Sequence, residues 1–390
     1  VDKLLAFVIP FLLVLGAVPL LRRLAPRIRL VDMPDARKVH VGSVPLVGGV
    51  AMFGATLAAG AVLGSFGAIH PGFWVGAASM TLIGLVDDIY ELAAKLKFVL
   101  QAATVSVVFA WGGVELKDLG MLLGPFSLSL GVMALPFSIF GVLGVIIAVN
   151  LSDGADGLAG GISIVALFWF LLAASVAQPG SGGASNVLVL LSLTGSVAAF
   201  LVFNLRTPLR KRAVIFMGDS GSLLLGFVLS WFAITSVTDQ GSFSFHPVTV
   251  LWILAVPLFD TVSCIIRRVA KGLSPMQPDR EHIHHLLPAY GFSMSQTVAQ
   301  LHFISFVCGF VGVSGAWLNV ADYWMFVAFL VTFGTYTLVV HRAWERLYRL
   351  RDRALAHTTS RAGAGPVTFT RNVGHSLTPS TTSEPQHSVR

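Results

Sequence analysis

Four short segments hold nearly all the side chains able to do chemistry. GLVDDIYEL places Asp87, Asp88 and Glu91 where a long apolar run ends. Adjacent carboxylates repel, and a divalent cation or a proton relieves that repulsion. NLSDGADGLAGG carries Asn150, Asp153 and Asp156, with the two aspartates three apart and able to share one face of a helical turn. Its glycines let the backbone approach a ligand closely, and a helix starting there presents unpaired N–H groups to an anion. FNLRTPLRKRAVIFMGDSGS closes one run with Asn204, adds Arg206, Arg210, Lys211 and Arg212, and opens the next run with Asp219. Cations beside an acid at a helix start suit a phosphate gripped by the bases and a metal held by the acid. PDREHIHH brings Arg280, His282, His284 and His285. Three histidines in four residues are potential zinc ligands, but no cysteine or acidic partner set follows nearby. Phosphate contact through Arg280 and imidazole N–H groups fits them better.

The elements that must position these clusters are membrane helices. The chain of 390 residues is 55% hydrophobic and only 12% charged, against a soluble norm of about 25% charged. Its mean hydropathy is +0.79. Eleven apolar segments of bilayer-crossing length are expected: 3–21, 45–64, 72–87, 96–112, 129–149, 159–177, 186–204, 214–234, 248–266, 298–317 and 322–341. The first lacks a basic leader and a small-residue cleavage site and is read as a retained span. The fold class is thus all-α and polytopic.

The basic residues orient it. Of the 26 Lys and Arg, all but Lys3 and Lys117 fall on one set of alternate loops and the C-terminal segment. The positive-inside rule puts the N-terminus outside and the C-terminus in the cytosol. The net charge of +7 is then a consequence of topology and requires no nucleic-acid partner. A single transmembrane domain over 1–345 is expected, and the polar segment 352–390 reads as a disordered tail. Cys264 and Cys308 lie inside apolar runs and read as small buried hydrophobes.

In this frame all four clusters sit on the cytosolic side, as in an enzyme fed from the cytosol. A secondary transporter is the alternative from another class. Transporter ion sites gather near the midplane on broken helices within inverted repeats, whereas these acids sit at span ends and no repeat is visible.

Taken together, the segments resemble the polyprenyl-phosphate N-acetylhexosamine-1-phosphate transferases: DD at 87–88, NLSDGADGLAGG, FN at 203–204 with FMGDSGS, HIHH, and DMPDARKVH…VPLVGG at 32–49. The DREHIHH form is similar to the bacterial undecaprenyl-phosphate GlcNAc-1-phosphate transferases. Where the family often has Asn-Ala-x-Asn, this chain reads Ile147-Ala148-Val149-Asn150. The resemblance implies transfer of GlcNAc-1-phosphate from UDP-GlcNAc to undecaprenyl phosphate at the cytosolic face of the bacterial inner membrane. It also implies a magnesium ion, or manganese, on Asp88 and Asp219, with Asp87 as base or orienter. Asn150, Asp153, Asp156 and Asn204 would hold the nucleoside side of the donor. Arg280, His282, His284 and His285 would grip pyrophosphate or lipid phosphate, and Lys38 would serve the nucleotide.

Overall fold

The computed structural model describes residues 2–32, 43–176, 183–208, 210–238, 245–274 and 281–361. Thirteen helices occur among them: α1 (Asp2–Leu24), α2 (Gly48–Val62), α3 (Pro71–Tyr90), α4 (Ala94–Gly112), α5 (Ala134–Ser152), α6 (Leu158–Val176), α7 (Gly183–Asn204), α8 (Gly218–Thr235), α9 (Pro247–Ile253), α10 (Ala255–Ala270), α11 (Ile283–Ala289), α12 (Met294–Trp317) and α13 (Asp322–Arg361). The chain divides into two compact units, 1–344 and 345–390. Lys38, Arg280 and residues 362–390 of the expected tail lie outside the described residues, whereas 352–361, expected as the start of that tail, continue α13.

Each expected apolar segment is helical, and the protein is a polytopic helical membrane protein. Eight described helices are long and apolar enough to cross a bilayer, and α2 and the described part of α6 are shorter apolar helices. The ninth segment, expected as one span over 248–266, is broken between α9 and α10, which are bent by 81°. Pro257 supplies the reason: it has no N–H to give the carbonyl four residues back, and its ring crowds that carbonyl, at Ile253. The all-α expectation also missed a two-residue antiparallel ribbon, Val31–Asp32 with Val44–Pro45. A strand of two residues has no periodicity to read. The ribbon extends through Pro45, whose carbonyl accepts from Phe216 N at 2.9 Å, and so ties the first loop to the segment before α8.

Helix α8 is the axis of the first unit. Its sequence, GDSGSLLLGFVLSWFAIT, is apolar on all sides, which suits a helix enclosed by others. It is 89% buried, against 22% for α1 and α4 and 17% for α13. Helix α8 packs chiefly on α3, α5 and α2, and also touches α6. Phe73, Phe109, Phe227 and Trp231 pack together between α3, α4 and α8, with ring centres 5.4–6.3 Å apart and three of these pairs edge-on. Close packing brings the C-terminal ends of α3, α5 and α7 to the same end of the bundle as the N-terminal ends of α4, α6 and α8.

Candidate active site

The carboxylates of the paired aspartates diverge because successive helical residues point about 100° apart. Asp88 turns to α8. Its oxygens accept the backbone N–H groups of Asp219 at 2.7 Å and Ser220 at 3.1 Å. No side chain at the N-cap position, Met217, caps α8, so Asp88 caps it from another helix and meets the positive end of its dipole. The approach depends on two glycines. Gly218 has φ +70°, and a Cβ there would run into the Asp88 carboxylate. Gly84 lies flat against the Asp219–Ser220 backbone, where any side chain would force α3 and α8 apart.

Asp87 turns toward α4. It accepts from Leu92 N at 2.7 Å and pairs with Lys97 Nζ at 2.8 Å. Lys97 also forms a close ion pair with Asp219. Two carboxylates from α3 and α8 therefore converge on one ammonium. Asn150, at the end of α5, completes the cluster, its amide donating to Asp219 Oδ1 at 2.6 Å and Ser222 Oγ at 2.8 Å. In the sequence Lys97 reads only as a topology marker, and Ser222 only as the end of the FMGDSGS motif, with no role of its own. Lys97 is 122 residues from Asp219, but its position ten residues after Asp87, at the start of the next helix, was a local signal.

The second turn is built by fixed partners. Asp156 accepts from Arg206 Nε at 2.7 Å and Ala213 N at 3.1 Å, pinning the basic segment to the α5–α6 turn. Asp153 is half-buried. Surrounding protein, and the charges of Asp219, Asp88 and Asp156, push its carboxyl well above the ordinary aspartate range. Asn204 is 4% exposed. Its Oδ1 accepts from Gly157 N at 2.7 Å and its Nδ2 donates to Ile215 O at 2.8 Å. The structure thus gives Asn204 a clamp between α7, the Asp156 turn and the segment before α8. Asn204→Ala leaves two buried backbone groups unpaired, at about 1–3 kcal/mol each. It is expected to lower the thermal unfolding midpoint in detergent more than an alanine at exposed Arg212 does.

His302 of α12 was not anticipated. Its Nε2 lies 3.1 Å from Gly157 O and 3.3 Å from Leu158 O, bracing the start of α6 from another side.

The histidine segment reaches the same end of the bundle. The His284 ring lies against Gly154, in the turn that carries Asp153. Burial, then the neighbouring His285, push His284 down to about 3, so it is an uncharged hydrogen-bonding group at neutral pH. Its Nδ1 is buried without a hydrogen-bond partner among the described residues. His282 stacks on His284 at 5.6 Å with the rings nearly parallel. The acidic and thiol partners that do not follow this segment in sequence precede it. Asp260 and Cys264 on α10 put ligand atoms within 4.8 Å of each other and of His282.

Two groups could be asked to hold a cation. In Asp260–Cys264–His282 the ligand atoms are already engaged: Arg267 Nη2 lies 2.9 Å from Cys264 Sγ, and His282 Nδ1 lies 2.8 Å from Asp260 Oδ2. Asp260 Oδ1 also accepts from Ile283 N and Tyr336 Oη, both at 3.0 Å. Asp87 and Asp219 fit a divalent ion better: they are hard oxygen donors converging on a position that a positive group already occupies. Asp88, with its oxygens given to backbone N–H groups, is the least available of the three.

Comparison with known proteins gives the chain its family. Residues 70–237 match the family model described as glycosyl transferase family 4. The chain is similar to the undecaprenyl-phosphate alpha-N-acetylglucosaminyl 1-phosphate transferases of Escherichia coli (strain K12), 33% identical over 338 residues, and of Salmonella typhi, 34% over 336. The Haemophilus influenzae protein of that name is 34% identical over 327 residues. These alignments cover 83–84% of this chain and 87–90% of the relatives. The family model ends before the histidine segment, whereas these relatives align over most of the chain. On that similarity, with the acidic cluster assembled as described, the chain belongs to the polyprenyl-phosphate N-acetylhexosamine-1-phosphate transferases of glycosyl transferase family 4.

Proposed function

We propose that the protein transfers GlcNAc-1-phosphate from UDP-GlcNAc to undecaprenyl phosphate, releasing UMP, as the first membrane step of a surface polysaccharide pathway. The observation that carries this reading is the convergence of Asp87, Asp219, Lys97 and Asn150 at one end of the helical bundle, in a chain of this family. A phosphate oxygen of the lipid attacks the phosphorus that bears GlcNAc, and the bond from that phosphorus to the UMP oxygen breaks. The lipid phosphate is already largely ionised near neutral pH, so the protein's work is to position anions and offset their charge.

Asp87 and Asp219 would hold magnesium, or manganese, which when bound neutralises pyrophosphate charge. The ligand pair that the resemblance implies, Asp88 with Asp219, thereby shifts by one residue, with Asp88 fixing the start of α8. Lys97, which balances the two carboxylates, is placed to turn to donor phosphate oxygens. Asn150 orients Asp219, and Asp153 and Asp156 shape the turn facing the nucleoside. His282, His284 and His285, with Arg280 and Lys38, provide donors for the phosphates. The test is UMP release by purified protein given UDP-GlcNAc and undecaprenyl phosphate; no UMP with any UDP-N-acetylhexosamine would sink the reading.

The charge asymmetry supports a cytosolic site in the bacterial inner membrane. With Cys264 and Cys308 replaced by alanine, a cysteine at Leu123 is expected to react with an impermeant maleimide in intact cells. One at Ser274 is expected to stay unlabelled until the membrane is opened. Labelling at 274 in intact cells reverses the orientation.

A further inference from the structure

We propose that Asp260 is a positioning residue that sets the ring orientation and proton placement of His282, and that Tyr336 holds Asp260 in that role. The inference rests on the reading of His282 as a phosphate-contacting group. Asp260 lies in α10 and His282 just before α11, and they are 5% and 4% exposed. Asp260 Oδ2 is 2.8 Å from His282 Nδ1. An ionised carboxylate only accepts hydrogen bonds, so the hydrogen between the two groups sits on Nδ1 and the ring plane is fixed with it.

The carboxylate is itself held. Ile283 N and Tyr336 Oη both donate to Oδ1 at 3.0 Å, one from the segment it orients and the other from α13. Three elements far apart in sequence thus spend their polar groups on the direction of one imidazole. That imidazole is connected to the acidic cluster through its stacked neighbour: His284 lies over Gly154, beside Asp153. A residue needed only to fill space at this point in α10 would be apolar. A buried acid with three donors costs desolvation, and a fixed imidazole is the return on it.

The measurement is kcat and KM for UMP release by the purified full-length protein carrying Asp260→Asn, Tyr336→Phe, His282→Ala, or the Asp260→Asn/His282→Ala pair. Loss of a partner that orients a functional group typically costs about 10–100-fold, and Asp260→Asn is expected to lower kcat by that much. Tyr336→Phe removes one of the three donors to the carboxylate and leaves the other two, and is expected to cost about fivefold. The decisive comparison is the pair. If Asp260 works through His282, the double variant is no slower than His282→Ala, within about twofold, because interacting groups fail to add. If the Asp260→Asn loss appears in full on top of His282→Ala, Asp260 acts through the fold and the proposal fails. Should Asp260→Asn not fold, Tyr336→Phe with and without His282→Ala gives the same comparison. A His282→Ala protein as fast as the parent also overturns the proposal, while UMP release by the parent would leave the transfer reaction standing. Should another UDP-sugar be the donor, the comparison is read with that sugar.

Discussion

Asp219→Asn is expected to lower UMP release by at least about 10³-fold, or about 4 kcal/mol of transition-state stabilisation, while the protein stays folded and monodisperse. The substitution keeps size and shape but removes a charge at the point where three partners meet. Lys97 would be left with Asp87 alone, and the pair of oxygens suited to a divalent ion would become one carboxylate and one amide. The fold should survive because α8 is held by Asp88, which bonds the backbone N–H of residue 219 and not its side chain. Gly84 and Gly218 keep their close approach for the same reason. Structural loss and chemical loss are therefore separable at this residue. The check is a magnesium titration of the rate beside a size-exclusion profile and an unfolding curve. Near-parent turnover at limiting magnesium would remove Asp219 from the ligand set and the proposed centre with it.

The second large effect concerns the donor. UDP-GlcNAc is expected to be turned over at least about 10³-fold faster than UDP-MurNAc-pentapeptide, on the scale by which sites that must satisfy buried polar groups reject a mismatched substrate. The peptide would need room and polar partners, and the described segments between α7 and α8 and after α10 offer mainly basic and apolar side chains. Ile147 stands where the family often has Asn. It lies three residues before Asn150 on α5, on the same face of the helix, and is half-buried. Ile147→Asn adds a polar group one turn from the amide that orients Asp219. If UDP-GalNAc or a deoxy analogue proves the better donor, that variant should move the preference toward GlcNAc. Equal rates with UDP-GlcNAc and the pentapeptide donor, in the same detergent and with the same lipid phosphate, would overturn the assignment of donor.

The sequence by itself determined the elements and the ends at which chemistry gathers. An apolar run of about 20 residues must be a helix in a bilayer because nothing else satisfies its backbone, and that rule needs no partner. Polar side chains at the ends of such runs are equally local, which is why Asp87, Asn150, Asp153, Asp156, Asn204 and Asp219 were visible together. Their division of labour was not visible. Asp88 caps a helix 131 residues away, and Lys97 joins Asp87 to Asp219 across 122. Asn204 clamps backbone where resemblance had it touching substrate. Adjacent residues such as Asp87 and Asp88 look alike in sequence, and only the packing of α3 between α4 and α8 decides which oxygen meets an ammonium and which meets backbone N–H groups. Asp260 shows the same limit from the other side. An acid inside an apolar run requires a partner, but the partners, His282, Ile283 and Tyr336, come from segments joined to α10 only by tertiary contact. Pairing of buried polar groups depends on distances that the folded chain sets, and local periodicity carries no record of them.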